Sequence, residues 1–246
     1  MEHIADLTQN GKFAILPGPA PNVTPAHPER ITLDTLDASV HSKVERAIAS
    51  ARRWASLKIG GDGRASMVLV ATGLKKKDGK PDMDHTGYGC GKTHIARAIQ
   101  WASYTALDDG TPVAPAGRFY VARDLIELIG SGNTMQELAP PPVEIADGGR
   151  VGGTPVIVID DVGTEGTIPY VSAAQQAYEM QARYFMVINY CYERHISVVI
   201  TANMTIDEMA AHIGGRAWSR LQQMAPAGLI IDMTGVPDWR RQEGGR

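Results

Sequence analysis

Apolar residues along this chain fall into two alternating patterns. Short continuous runs occur at Met67-Val68-Leu69-Val70-Ala71, Arg118-Phe119-Tyr120-Val121-Ala122, Val156-Ile157-Val158-Ile159, Ser197-Val198-Val199-Ile200-Thr201 and Leu229-Ile230-Ile231-Asp232-Met233. Runs of this length, rich in β-branched residues, predict buried strands. Between them the apolar positions recur at steps of three and four. Leu36, Val40, Val44, Ala47, Ile48, Ala51 and Ala55 predict a helix over Asp34–Leu57, stopped by Gly60-Gly61-Asp62-Gly63. Further helices are predicted from Lys92-Thr93 to Leu107, over Asp124–Ile129, over Ser172–Arg194, from the capping box Thr205-Ile206-Asp207-Glu208 to His212, and over Arg216–Met224. Strands alternating with helices imply an α/β fold: a central parallel sheet of five strands flanked by helices on both faces. Ligands on such sheets bind at the carboxyl ends of the strands.

The segments between these elements set the organisation. Residues 1–33 carry closely spaced prolines at 17, 19, 21, 25 and 28 and predict an extended N-terminal arm. Residues 34–240 are expected to form the core, with 241–246 as a tail. Leu74 to His85 reads as a polar loop, and 130–154 as a Gly/Pro-rich loop. With 43% hydrophobic residues the chain can bury a sizeable core, while a net charge of −3 leaves any basic patch to local clustering. Two cysteines in unlike contexts, Cys90 and Cys191, argue against a disulfide framework and fit a cytoplasmic setting. No apolar run approaches the ~18 residues of a membrane helix.

The chemistry concentrates after three of the strands. Thr86-Gly87-Tyr88-Gly89-Cys90-Gly91-Lys92-Thr93 is a glycine-rich phosphate loop at the start of a helix, with Thr86 where the strict pattern has glycine. Its backbone N–H groups and the helix N-terminus suit phosphates, Lys92 would reach the β- and γ-phosphates of ATP, and Thr93 would ligate Mg²⁺. Cys90 serves as a small residue within the loop, and His94 packs beside it. Asp160-Asp161 ends a strand: the first carboxylate would hold Mg²⁺ and the second would orient or deprotonate the attacking water. Read alone, that pair is equally a solvated turn before Gly163. Asn203, beyond the next strand, would touch the γ-phosphate or its water, or simply suit a turn. Arg216 and Arg220 share a helix face, as a transition-state arginine pair or as solvated surface charges. The lysines at 75, 76, 77 and 80 would grip a phosphate backbone or remain solvated.

Taken together these residues resemble a known family. The run from Val156 through Asp160-Asp161-Val162-Gly163-Thr164-Glu165 is similar to the Asp-Asp-x-Gly-x-Glu form of DnaC/DnaI-type AAA+ helicase loaders, in the IstB/DnaC-like family. Gly91-Lys92-Thr93-His94, Ile188-Asn189-Tyr190, Ile200-Thr201-Ala202-Asn203 and Gly215-Arg216-Ala217-Trp218-Ser219-Arg220-Leu221 extend the resemblance over about residues 40–240. It implies an AAA+ core without a separate helical lid, Asn203 as sensor 1, Arg220 as arginine finger with Arg216 as companion, and a weaker match at Arg240-Arg241. It further implies an ATPase that assembles as a homo-oligomeric ring or spiral and places a replicative DNA helicase on single-stranded DNA, with a phage or mobile-element member expected. Two other readings stay open: an IstB-like transposition helper ATPase, whose acid site is usually Asp-Glu-Leu-Gly, and an ATP-gated DNA-binding or adaptor protein with little turnover.

Overall fold

The computed structural model describes residues 31–60, 65–102, 104–106, 112–115, 117–139, 155–168, 171–225 and 228–239. Most of the N-terminal arm, residues 140–154, Arg240-Arg241 and the tail therefore lie outside the described residues. In chain order the elements are α1 (Ser42–Gly60), β1 (Met67–Val70), α2 (Lys92–Ala102), β2 (Tyr104–Ala106), β3 (Pro112–Pro115), β4 (Gly117–Val121), α3 (Ala122–Gly130), α4 (Met135–Leu138), β5 (Val156–Val162), α5 (Ala173–Glu193), β6 (Ser197–Ala202), α6 (Ile206–Ile213), α7 (Gly215–Met224) and β7 (Ile230–Asp232).

The five apolar runs form one parallel sheet in the order β4-β5-β6-β1-β7. Every residue of β1 and β6 is buried, which is why both read as continuous apolar runs rather than alternating ones. One face of the sheet packs against α3, α5, α6 and α7 through residues such as Leu125, Tyr184, Ile188, Met209 and Leu221. The other packs against α1 and α2 through Ile48, Trp54, Ile95 and Ile99. Because β1 lies between β6 and β7, the loops leaving β1, β5 and β6 open side by side at one edge.

Four boundaries differ from the sequence pattern, each for a local reason. The first helix starts at Ser42 rather than Asp34. The Asp37 carboxylate accepts both the N–H and the hydroxyl of Ser39, at 2.8 and 2.7 Å, and holds a turn there. The His41 ring then accepts the Lys43 N–H at 3.1 Å at the helix entry. Helix α2 ends at Ala102, and the following Tyr104–Ala106 pairs antiparallel with Pro112–Pro115. The segment after α3 holds a one-turn helix, α4, opened by a Thr134/Glu137 capping box. Finally, Leu74–His85 is a closed hairpin. Leu74 N–H donates to His85 O and Asp82 N–H to Leu74 O, both at 2.8 Å, and Lys76 N–H donates to Lys80 O at 2.8 Å.

Trp54 anchors α1 to the sheet; it is fully buried, and its indole N–H donates to Ala65 O at 2.6 Å. Trp54→Ala is expected to lower unfolding free energy by about 3–5 kcal/mol, the range for deleting a buried large aromatic. The check is a drop in the urea midpoint at unchanged slope.

Candidate active site

The phosphate loop follows β1 and runs into the first turn of α2. Gly87 sits at φ +80°, and a Cβ there would lie 2.8 Å from the Thr72 carbonyl carbon. Only glycine permits that approach. Gly91, at φ +90°, faces open space within 4 Å of where its Cβ would stand. Tyr88 and His94 are exposed beside the loop, Gly89 is half-buried, and Cys90 is buried with its thiol toward Gly87 O at 3.4 Å.

The Lys92 ammonium, 6% exposed, donates to Gly87 O and to Asn203 Oδ1, both at 2.7 Å. Asn203 in turn donates from Nδ2 to Asp161 Oδ1 at 2.5 Å. One amide thus stands between the lysine and the acid. Thr93 Oγ1 donates to both oxygens of Asp160, at 3.0 and 3.1 Å. The residues predicted from Gly87 to Asn203 therefore meet at a single edge of the sheet.

Asp160 and Asp161 do not simply follow the strand. β5 continues through them to Val162, which pairs with Ala202 across a shift in register. A bulge of this kind re-aims side chains at a strand end. Within it Asp161 adopts φ +63°, a left-handed conformation uncommon outside glycine. Three bonds hold it: its N–H donates to Thr201 Oγ1 at 2.9 Å, its carbonyl accepts from Thr164 Oγ1 at 2.7 Å, and its carboxylate accepts from Asn203. Asp160 is buried, and burial pushes its pKa up. Bonds from Thr201 and Thr93 and the charge of Arg97 oppose that shift, while the charge of Asp161 adds to it.

Sequence reasoning missed two contributors. Thr201 donates to Asp160 Oδ1 at 2.6 Å while accepting from Asp161, so one hydroxyl serves both acids. Its only sequence signal is a hydroxyl closing an apolar strand. Arg97, one helical turn beyond Thr93, lies with its guanidinium 3.7 Å above the Phe119 ring and contributes positive charge toward Asp160.

The departure at Thr86 also has a structural context. Its hydroxyl lies 3.4 Å from Asp238 Oδ2 and accepts the Tyr88 N–H at 3.3 Å. The segment after β7 crosses the loop here, with Asp238 N–H donating to Asp84 O at 3.0 Å and Trp239 N–H to Gly89 O at 3.3 Å. In the hairpin ahead of the loop the four lysines are exposed. Lys80 pairs with Asp78 at 3.5 Å, and Asp82 pairs with His85 at 3.0 Å.

Arg216 and Arg220 lie on α7 against aromatic residues of α5. The Arg216 guanidinium sits 4.1 Å from the Phe185 ring centre, and that of Arg220 lies 5.5 Å from Phe185 and 4.9 Å from Tyr192. Among the described residues no cluster of three His, Cys, Asp or Glu side chains forms a metal site, and no helix is long and apolar enough to cross a membrane.

The parallel sheet, the order of its strands and the glycine-rich loop leaving β1 into α2 make an α/β fold with a P-loop-like turn. No family-level sequence profile matches the chain, and no curated protein matches it. Solved structures do match its fold. It is similar to the DnaC helicase loader at 19% identity and a TM-score of 0.52, over 82% of this chain and 96% of that one. It is similar to DnaI at 14% identity and a TM-score of 0.52, over 83% of this chain and 92% of that one. A candidate primosome component from Streptococcus pyogenes serotype M3 aligns at 14% identity and a TM-score of 0.51, over 84% and 87% of the two chains. At these identities the likeness is one of fold.

Thr201→Val keeps the side-chain shape and removes both hydroxyl bonds. It is expected to cost about 1–3 kcal/mol, because the Asp160 carboxylate and the Asp161 N–H each lose a partner. Thr201→Ser should recover most of that loss in the same denaturant titration.

Proposed function

We propose that this chain is an ATPase that binds ATP-Mg²⁺ through its phosphate loop and loads a replicative DNA helicase onto single-stranded DNA. The observation that carries the nucleotide reading is the joined set Lys92–Asn203–Asp161 and Thr93–Asp160–Thr201 at the carboxyl edge of the sheet. A lysine, two hydroxyls and two carboxylates brought together beside an open glycine turn fit a polyphosphate with a hard divalent cation. The loader reading draws on the fold shared with the DnaC helicase loader and DnaI.

In this reading Lys92, with the backbone of Thr86–Thr93 and the adjoining His94, holds the phosphates. Thr93 and Asp160 hold Mg²⁺, which when bound neutralises charge on the phosphate oxygens. Asp161 orients or deprotonates the attacking water, its carboxylate held by the Asn203 amide. Asn203, already bonded to Lys92 and Asp161, gives up one of those bonds to touch the γ-phosphate or the water. Arg220, with Arg216 beside it, serves the ATP of a neighbouring copy in a ring or spiral. Its seat over Phe185 and Tyr192, with neither arginine among the bonds that join Lys92, Asn203, Asp161, Thr93, Asp160 and Thr201, supports a role in trans.

Lys92→Ala is expected to abolish tight ATP binding with the fold retained, and an unchanged titration would remove the nucleotide reading. Asp161→Asn should bind ATP and lose turnover by roughly 10²–10⁴-fold. Arg220→Ala should keep ATP affinity and lose turnover, and mixing it with Lys92→Ala should restore phosphate release, because one variant keeps the site and the other keeps the arginine. Capture of a purified replicative helicase by the ATP-bound chain tests the loading step; equal capture of a transposase and no helicase would point to the transposition helper instead.

A further inference from the structure

The acid Glu165 is not used in the scheme above, yet it is the most elaborately held carboxylate among the described residues. Its side chain is 2% exposed. Oε1 accepts the Gly163 N–H at 2.9 Å and also the Tyr184 hydroxyl, and Oε2 lies 3.1 Å from His212 Nε2. Burial pushes its pKa up, but the bonds from His212, Gly163 and Tyr184 outweigh that and leave it below the usual carboxylate value. Burying a carboxylate is expensive unless it is paired and hydrogen-bonded, and its partners here come from three different elements.

Those partners lead to both of the chain's reactive ends. On one side, Gly163 and Thr164 form the loop directly behind Asp161, and Thr164 Oγ1 holds the Asp161 carbonyl at 2.7 Å. On the other, His212 stands in the last turn of α6, its ring edge-on to Tyr184 with centroids 5.8 Å apart. Two residues later Gly214 ends α6 and begins α7 at φ +87°; Trp218 N–H donates to its carbonyl at 3.0 Å. A Cβ on Gly214 would lie 3.1 Å from the Gln181 side chain, and Gln181 Nε2 donates to Ala211 O at 2.9 Å. The corner that sets the direction of α7, and so of Arg216 and Arg220, is therefore clamped to α5 beside Glu165.

We infer that Glu165 is a positioning residue for two groups at once: the Asp161 loop of its own subunit's ATP site and, through His212 and the α6–α7 corner, the arginine helix offered to the next subunit. The inference rests on the proposed trans role of Arg220. Displacing either group by an ångström is sufficient to cost about 10²-fold in rate.

The test places Glu165→Gln separately in the two kinds of subunit of the complementation pair. In the site-bearing subunit, Arg220→Ala with Glu165→Gln should keep ATP affinity and lower rescued turnover by about tenfold or more. In the arginine-bearing subunit, which cannot hydrolyse ATP, Lys92→Ala with Glu165→Gln should also lower the rescue, although its own Asp161 takes no part. A purely local role for Glu165 predicts full rescue by that donor, and this result overturns the inference while leaving the trans arginine standing. Absence of rescue in the parent pair, without any change at Glu165, overturns the trans reading and the inference with it. If Glu165→Gln does not fold, as read by thermal melting, Tyr184→Phe removes one bond to Glu165 with the ring retained and is used in the same two positions. Its expected effect is a reduction in both, and full donor rescue again overturns the inference.

Discussion

The arrangement depends on one buried carboxylate. Asp160 lies 6% exposed in β5, directly after four buried apolar residues, Val156–Ile159. Left unpartnered there it would cost several kcal/mol or take up a proton. Instead Thr93 reaches it from α2 and Thr201 from β6, so three elements are tied by bonds to a single side chain. Satisfying Asp160 fixes where α2 begins relative to the sheet, and with it where the phosphate loop and Lys92 stand. The same Thr201 oxygen accepts from Asp161, so the requirement of one acid also seats the next.

The second acid is held at a conformational cost. A left-handed non-glycine residue inside a strand bulge is uncommon, and such strain persists where surrounding bonds over-determine it. Here the bonds come from Thr201, Thr164 and Asn203. The Asn203 amide bonds a cation through its oxygen and an anion through its nitrogen. A ligand drawing Lys92 toward itself competes directly with one of those bonds, so the amide registers a change at either neighbour without any large movement of the backbone.

Helix α5 is the beam on which the remaining parts are mounted. Its Gln181 and Tyr184 face the α6–α7 corner and Glu165, and its Phe185 and Tyr192 lie under the two arginines of α7. Arg183 donates to Ile126 O at 3.0 Å and fastens the same helix to α3. Guanidinium groups over aromatic faces are held by cation–π attraction while their N–H edges stay available. Their arrangement along α5 puts the Glu165 contact and the arginine pair on one helix.

The sequence by itself determined the strands, because a parallel sheet covered on both faces needs unbroken apolar runs that stand out at any distance from their partners. It also pointed to the phosphate loop, Asp160-Asp161 and Asn203 as candidate residues, since each follows such a run. Helix α6 was equally legible from its Thr205/Glu208 capping box, a contact made within four residues. Only the tertiary structure decided what lies across the chain. Thr201 serves two acids and Glu165 gathers Tyr184 and His212 through bonds between residues far apart in sequence. Thr86 meets Asp238 across most of the chain's length. The bulge that turns Asp161 depends on the register of β5 against β6, and the aromatic seat of the arginines depends on how α7 crosses α5. No periodicity or local spacing encodes such meetings, because hydroxyls, acids and arginines show the same local pattern whether they face water or one another.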